Sequence, residues 1–183
     1  MIPASGVPIE LATLGYGYGI SVTPLQLARA YSVLANGGLA LPVSLLKRAT
    51  LPEGERVMSE QTARQVRGML EQAVSRDGTG AAAQVAYYRV GGKTGTAHKL
   101  VNGEYANNSY IASFAGFAPA SNPRLVMIVT VDEPQGGAYY GSQVAAPVFS
   151  KVMAGVLRLL NIPPDNLDGP ARRTAELGRG GVT

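Results

Sequence analysis

Two stretches in the first half of the chain carry apolar residues at the three- and four-residue spacing of an amphipathic helix. In the first, Thr23 can cap the helix, Pro24 suits the first helical position, and Gln26 can complete a capping box. The second starts after Ser59 and is broken by Asp-Gly-Thr-Gly at 77–80. We therefore predict two helices, each with one buried face. The expected buried residues are Leu27, Tyr31 and Leu34 in the first helix, and Ala63, Val66, Leu70 and Ala73 in the second.

Further along, the pattern changes to strand-like runs before a last helix that opens at Pro147 and carries a broad apolar face. The Asn-Gly pair at 102–103 is a strong hairpin signal, and Asn-Pro at 122–123 marks a second turn. Residues 125–131 are apolar on both faces, so we expect that strand to be central and covered on both sides. A short extended segment is also expected at 41–48, after a proline. The strand-like runs are 88–100, 108–118 and 124–132.

These elements predict an α/β (α+β) fold with a main body at 1–162. From Pro163 onward the chain is rich in Pro, Gly and Arg, and 163–183 is expected to be a disordered tail. The chain of 183 residues is long enough for one domain with a real core.

Composition narrows the classes of function. The chain has no cysteine and only one histidine, His98, so zinc-thiolate and multi-histidine metal sites are excluded, and we expect neither metal nor cofactor. The formal charge is +4 and the basic residues are scattered, so no nucleic-acid partner is expected. No apolar run approaches the length of a membrane span, and the first residues lack the pattern of a signal peptide. A targeting signal for work outside the cytoplasm would therefore lie elsewhere.

The most informative polar residues are Lys-Thr-Gly-Thr at 93–96, inside the first strand-like run. Alternate residues of a strand share a face, so Lys93 and Gly95 should point one way and Thr94 and Thr96 the other. Gly95 has no side chain, so another element can approach the backbone there. A cation, two hydroxyls and an open strand edge suit a substrate that bears a carboxylate and an amide.

Two other interpretations of these residues stay open. Gly-Lys-Thr at 92–94 resembles the end of a phosphate-binding loop, but Tyr87 stands where that loop needs a glycine, and Gly95 followed by Thr96 is a poor helix start. The run could also be a glycine-rich strand that carries a solvated lysine.

Six segments in order resemble the class B penicillin-binding proteins, and in particular their division-specific peptidoglycan transpeptidases of the penicillin-binding protein 3 type. The resemblance covers roughly residues 10–165. It implies an antiparallel sheet with packed helices, like that of penicillin-binding proteins and serine β-lactamases, present here as a partial domain that forms the C-terminal portion of the transpeptidase domain. The six segments are 17–28, 93–97, 114–119, 132–134, 139–141 and 146–149.

Two motifs of that family lack a good match. The nucleophile lies in Ser-x-x-Lys at the start of a buried helix, far upstream of the lysine strand, and Ser/Tyr-x-Asn lies between the two. Ser-Leu-Leu-Lys at 44–47 fits the first pattern, but it lies in the expected extended segment and too close to the lysine strand. Tyr-Ala-Asn at 105–107 fits the second, but it follows that strand, in the expected hairpin loop. We therefore expect the chain alone to lack its nucleophile and to be inactive.

The resemblance implies catalytic roles for Lys93 and Thr96, and substrate contacts for Thr94 and Gly95. Lys93 would supply positive potential for a carboxylate and a proton relay. The hydroxyls of Thr94 and Thr96 would hold the carboxylate, and the Thr96 N–H would form half of the oxyanion hole.

The resemblance also implies an aromatic wall beside the ligand, formed by Tyr110, Tyr139 and Tyr140, although ordinary packing would explain the same residues. His98 takes a position where relatives often carry a cation, and we expect an exposed strand residue rather than a catalytic base.

Partners follow from the resemblance as well. They are peptidoglycan stem peptides ending in D-Ala-D-Ala, β-lactams, the upstream part of the same domain, and, in the full-length parent, a septal glycosyltransferase and other division proteins. The parent would work at the periplasmic face of the inner membrane, with its anchor outside this chain. Two alternatives remain: a non-catalytic interaction module with the same fold, and an unrelated small-molecule-binding α/β domain.

Overall fold

The computed structural model describes residues 20–50, 52–101 and 104–167, without the side chains of 101 and 104–107. It confirms a mixed helix and sheet architecture. The elements in chain order are α1 (Pro24–Ala35), β1 (Leu39–Ala40), β2 (Glu55–Arg56), α2 (Glu60–Ala73), a short 3-10 helix (Ala81–Ala83), β3 (Gly91–Val101), β4 (Glu104–Ala118), β5 (Leu125–Asp132), α3 (Gly141–Val144) and α4 (Ala146–Leu159).

Both predicted helix starts are confirmed by their caps. The Thr23 hydroxyl accepts a hydrogen bond from the N–H of Gln26 at 3.2 Å, and the Gln26 side chain accepts one from the N–H of Thr23 at 2.8 Å. At α2, the Ser59 hydroxyl accepts from the N–H of Thr62 at 3.0 Å. These bonds satisfy N–H groups that have no partner within the helix, which is why the two helices begin at these residues.

The buried faces of the two helices differ in part from the prediction. Ala63 of α2 is fully buried, as expected, and the other predicted residues of both helices are half-buried. In α1 the buried residue is Val33, which lies outside the predicted stripe. Burial also raises the pKa of the Tyr31 hydroxyl above its ordinary value.

The three long strands form an antiparallel meander in the order β3-β4-β5. Val101 pairs with Glu104, which confirms the hairpin between β3 and β4, although residues 102–103 themselves lie outside the described part. We expected residues 125–131 to form a central strand, but in the described sheet two successive hairpins place β4 in the middle. In the described sheet β5 is an edge strand without a fully buried residue, whereas Phe114 and Phe117 of β4 are 0% exposed.

Two further boundaries differ from the prediction. The expected extended segment at 41–48 does not pair as a strand. The paired residues belong to β1, which ends just before this segment, and to β2, which begins after it. Pro42 lacks the N–H that a continuing ladder would need. Tyr-Ala-Asn at 105–107 was expected in a hairpin loop but lies inside β4. The register of the β3–β4 ladder shifts between His98 and Leu100, and beyond the shift Leu100 pairs with Tyr105.

The predicted final helix, α4, packs on one face of the sheet. Its residues Phe149, Met153 and Leu157 are buried, and the ring of Phe149 lies 4.7 Å from the ring of Phe114 on β4. None of the helices in the described residues is both long and apolar enough to cross a membrane.

The last described residues are tied to the body of the molecule. Asp165 accepts a hydrogen bond from the N–H of Arg89 at 2.7 Å, and Tyr88 donates its hydroxyl proton to the carbonyl of Ile162 at 2.6 Å. Residues 163–167, which we expected to open a disordered tail, are therefore anchored through Asp165. The rest of the expected tail, 168–183, lies outside the described residues.

Candidate functional site

The Lys-Thr-Gly-Thr residues lie on β3, whose outer edge has no neighbouring strand in the described sheet. Thr94 is opposite Phe114 on β4, and Thr96 is opposite Ala112. Directly opposed residues of an antiparallel pair share a face. Because the ring of Phe114 packs on Phe149 of α4, both threonines lie on the face of the sheet that α4 covers.

The backbone of Lys93 directs its side chain to the opposite face of the sheet, but the ammonium group at the tip does not lie there. The side chain is exposed, and its ammonium lies 3.2 Å from the carbonyl oxygen and 3.3 Å from the hydroxyl oxygen of Thr94. The four-carbon stem therefore curls around the outer edge of β3. The expectation that Lys93 and Thr94 point apart holds for the backbone but is wrong for the lysine tip, because β3 is an edge strand and the side chain is long and flexible.

Thr79 brings a further hydroxyl to this edge. The Thr94 hydroxyl donates to the Thr79 hydroxyl at 3.4 Å. The loop that holds Thr79 is folded against the end of α2, where the N–H of Gly80 donates to the carbonyl of Ala73 at 2.8 Å. In the sequence, residues 77–80 indicate only a helix break, and Thr79 carries no signal of this role because a contact between residues fifteen positions apart leaves no local pattern. We name Lys93, Thr94 and Thr79 the edge cluster.

Thr96 has a different partner from Thr94. Its side chain is half-buried, and its hydroxyl oxygen accepts a hydrogen bond from the N–H of Gly141 at 3.0 Å. Gly141 is the first residue of α3, and it lies against the backbone of Gly95. The sequence indicated that the missing side chain of Gly95 would let another element approach closely, but a Cβ at Gly95 would meet only Ser113 of β4 within 4 Å and no atom of α3. That Cβ would lie 2.5 Å from the Ser113 hydroxyl.

The three predicted tyrosines are brought together beside Gly141. The rings of Tyr110 and Tyr139 are stacked with their centroids 4.3 Å apart, and those of Tyr139 and Tyr140 are 4.4 Å apart. Tyr139 donates its hydroxyl proton to Tyr140 at 3.2 Å, and this bond is the main reason why the pKa of Tyr139 is raised above its ordinary value. We name Tyr110, Tyr139 and Tyr140 the tyrosine stack.

His98 continues the tyrosine stack on β3. Its ring centroid lies 4.7 Å from that of Tyr110, and its side chain is half-buried rather than exposed as expected. The reason is that the bulky Tyr110 stands directly opposite His98 in the ladder and covers it.

Of the two weak motif matches, the one at 44–47 does not join this site in the described residues. Ser44 lies at an exposed bend, where its hydroxyl donates to the carbonyl of Leu46 at 2.9 Å and accepts from the N–H of the same residue at 3.2 Å. This is a local turn closed by a serine, not the start of a buried helix. The side chains of 105–107 lie outside the described part of the structure.

The groups at this edge of β3 are chemically suited to binding an anion. An ammonium group and the hydroxyls of Thr79, Thr94 and Thr96 can all donate hydrogen bonds to a carboxylate. The exposed strand edge beside them offers backbone groups to an extended chain. Among the residues that the structure describes, no group of three or more His, Cys, Asp or Glu side chains is placed to hold a metal ion.

The chain is similar to known proteins over most of its length. The model of the penicillin binding protein transpeptidase domain matches residues 2–154. The chain is 52% identical over 157 residues to a probable peptidoglycan D,D-transpeptidase, PenA, of Neisseria meningitidis serogroup A, and 48% identical over 160 residues to the peptidoglycan D,D-transpeptidase FtsI of Escherichia coli K12. These matches cover 86% and 87% of the chain, but only 27% of either relative.

A solved structure extends the likeness to three dimensions. The apo transpeptidase domain of penicillin-binding protein 3 from Burkholderia pseudomallei superposes with a TM-score of 0.80 at 52% identity. The match covers 86% of this chain and 48% of that one, so the chain spans about half the length of the solved domain. The sequence matches and the superposition together show that the chain belongs to the transpeptidase family of the class B penicillin-binding proteins.

Proposed function

We propose that this chain forms the lysine-strand wall of the active site of a peptidoglycan D,D-transpeptidase. The observation that carries the proposal is the edge cluster, in which the Lys93 ammonium lies 3.3 Å from the Thr94 hydroxyl, which in turn lies 3.4 Å from the Thr79 hydroxyl. Such a cluster suits the terminal carboxylate of a D-Ala-D-Ala stem peptide, and equally the carboxylate of a β-lactam.

The carboxylate is held by Lys93, Thr94 and Thr96 in this proposal. Thr94 and Thr96 are two residues apart on one strand face, so their Cα atoms are separated by roughly 7 Å. That spacing lets a carboxylate lie over the strand between the two hydroxyls. Lys93 adds positive potential from the edge, and its contact with the Thr94 hydroxyl gives a path for a proton along the site.

The reaction itself is covalent catalysis by a serine. The serine attacks the carbonyl carbon of the penultimate D-alanine, the bond to the terminal D-alanine breaks, and that residue leaves with a proton. An amine of a neighbouring stem peptide then attacks the acyl-enzyme and releases the serine. In each step the N–H of Thr96 would donate to the oxyanion, a contribution that is commonly worth about 3 kcal/mol.

The serine and the Ser/Tyr-x-Asn motif would come from sequence outside these residues. Two observations support this: the chain spans 48% of a solved transpeptidase domain, and Ser44 lies in an exposed turn. The intact protein would work in the periplasm at the inner membrane, with its anchor outside this chain, and with septal glycosyltransferase and other division proteins as partners. Residues 1–162 would be the C-terminal portion of its transpeptidase domain.

The tyrosine stack forms the side of the cleft in this proposal. Tyr140 is 50% exposed and can contact a ligand, while Tyr139 is held between Tyr110 and Tyr140. Flat, rigid rings lose little conformational freedom when they bind, so they suit a wall for the apolar parts of a stem peptide or a β-lactam side chain.

Labelling with a fluorescent penicillin, followed by denaturing electrophoresis, tests the proposal. We expect the intact protein to take up one label per molecule and the 183-residue chain alone to take up none. An intact protein that is never labelled would favour a non-catalytic module with the same fold. A stoichiometric label on the isolated chain that disappears in Ser44→Ala would show that the nucleophile is Ser44.

A further inference from the structure

We propose that Gly141 is a positioning residue, which sets the Thr96 hydroxyl as a hydrogen-bond donor to the ligand carboxylate and docks the tyrosine stack against β3. The inference rests on the proposed function and deepens it. The family resemblance implies a role for Tyr139 and Tyr140 in the motif at 139–141 but none for Gly141.

The direction of the Thr96 hydroxyl follows from its contact with Gly141. A threonine hydroxyl has one proton and two lone pairs, and the N–H of Gly141 occupies a lone pair at 3.0 Å. A backbone N–H can only donate, so the contact leaves the hydroxyl proton of Thr96 for another acceptor. A carboxylate placed over Thr94 and Thr96 is such an acceptor.

The peptide group of Gly141 is itself held in place. Its carbonyl accepts from the N–H of Ala145 at 3.1 Å, and the preceding carbonyl, that of Tyr140, accepts from the N–H of Gln143 at 2.8 Å. The N–H that faces Thr96 is therefore fixed by the first turn of α3 and does not depend on the ligand. The N–H of Gly141 is thus a preorganised donor to Thr96, and it does not have to reorient when the carboxylate binds.

Glycine is required here because of space and not because of backbone conformation. The φ angle of Gly141 is not among the positive ones. A Cβ at this position would collide with the carbonyl oxygen of Ser113 and would lie 2.5 Å from the carbonyl oxygen of Gly95. Both are backbone atoms of the β3–β4 ladder and cannot move aside as a flexible side chain could.

An alanine at Gly141 therefore has to move the start of α3 away from the sheet. Restoring a normal contact of about 3.5 Å requires a shift of roughly 1 Å. That shift lengthens the bond to Thr96 and carries Tyr139 and Tyr140 with it, since they directly precede Gly141. A misplacement of about 1 Å at a reacting site can reduce a rate by roughly a hundredfold.

The first experiment compares Gly141→Ala with Gly155→Ala in the intact protein. A Cβ at Gly155 of α4 meets nothing within 4 Å, so this variant controls for the loss of a glycine. We expect Gly141→Ala to slow acylation by benzylpenicillin by roughly a hundredfold and to slow acylation by its methyl ester much less. Gly155→Ala should leave both rates unchanged.

Thr96→Val separates positioning from a general structural defect. If Gly141 acts through the Thr96 hydroxyl, Gly141→Ala should hardly change the acid-to-ester ratio of rates once Thr96 is valine. Equal slowing of acid and ester by Gly141→Ala when Thr96 is present, or a slowing that remains larger for the acid when Thr96 is valine, would overturn the inference. An unmodified protein that is not acylated at all would instead contradict the proposed function.

A second arm does not require Gly141→Ala to fold. Site-resolved hydrogen exchange should show a protected amide at Gly141 in the unmodified protein. Thr96→Ser, which keeps the hydroxyl, should preserve that protection, and Thr96→Val should remove it while the amides of α4 stay protected. An amide at Gly141 that exchanges equally in all three proteins would show that the bond to Thr96 has no role.

Discussion

The carboxylate of Asp165 accepts two hydrogen bonds from Ser121, one from its hydroxyl at 2.6 Å and one from its N–H at 3.1 Å. Its other oxygen accepts from the N–H of Arg89 at 2.7 Å. Asp165 therefore joins the approach to β3 with the turn between β4 and β5. The lysine strand is held at its beginning by a residue that follows α4.

Asp165→Ala should destabilise the fold. The variant leaves two N–H groups and a hydroxyl without their carboxylate partner, and hydrogen bonds to a charged group are worth about 1.5–3 kcal/mol when sheltered and less when water can replace them. We expect the free energy of unfolding of the intact domain to fall by about 1–2 kcal/mol, measured by urea denaturation. Glu53→Ala, at an exposed position, is the matched control and should be neutral. Equal midpoints for the two variants would show that Asp165 contributes nothing.

Lys93→Ala in the intact protein should abolish acylation by benzylpenicillin while leaving the fold intact. The Lys93 side chain is exposed and supplies potential rather than packing. Fluorescent-penicillin labelling measures the acylation rate, and the melting temperature shows whether the fold is intact. Lys151→Ala, which removes an exposed lysine from α4, should change neither. Near-normal labelling of Lys93→Ala would make Lys93 an ordinary solvated strand residue.

The caps and the lysine strand could be predicted because their signals are local. Thr23 and Gln26 are three residues apart, and their capping box is complete in the sequence itself. The position of β5 could not be predicted in the same way. Apolar residues at 125–131 show that both faces of a strand are covered, but they say nothing about which strands lie at its edges.

The partners of the site threonines are also invisible to local reasoning. Thr79 is fifteen residues from Thr94, and Gly141 is forty-five residues from Thr96. Each contact depends on how a loop or a short helix docks on the sheet. A glycine that is needed only for space, like Gly141, has the same letter as one needed for a turn. The structure alone separates the two cases.

Tyr140→Phe should lower the pKa of Tyr139. The hydrogen bond to Tyr140 is the main cause of the raised pKa, and phenylalanine cannot accept it. Since the folded pKa of Tyr139 is raised, the stabilisation from this proton is fully present below the unfolded value near 10 and is lost as the pH rises through the folded pKa. Titration of the tyrosinate absorbance, with Tyr139→Phe as the difference reference, measures the change. An unchanged titration in Tyr140→Phe would mean that the Tyr139 proton is not shared with Tyr140.

Thr96→Val should slow acylation of the intact protein more than Thr94→Val does. Valine keeps the shape and the β-branching, so strand propensity barely changes. The Thr94 hydroxyl lies beside the Lys93 ammonium and the Thr79 hydroxyl, and both of these groups can still hold a carboxylate in Thr94→Val. In the contacts described, the Thr96 hydroxyl has no neighbouring side-chain donor that could replace it. Removing this hydroxyl also leaves the N–H of Gly141 without its acceptor.

The expected loss for Thr96→Val is that of one hydrogen bond to a charged group, about 1.5–3 kcal/mol of transition-state stabilisation, or roughly ten- to a hundredfold in acylation rate. It should be larger for penicillins with a free carboxylate than for their esters, because the backbone N–H of Thr96 still serves the oxyanion in both. Melting temperatures serve as the check on folding. Equal losses for acid and ester would mean that Thr96 does not hold the carboxylate, and the ligand would then have to lie elsewhere along β3.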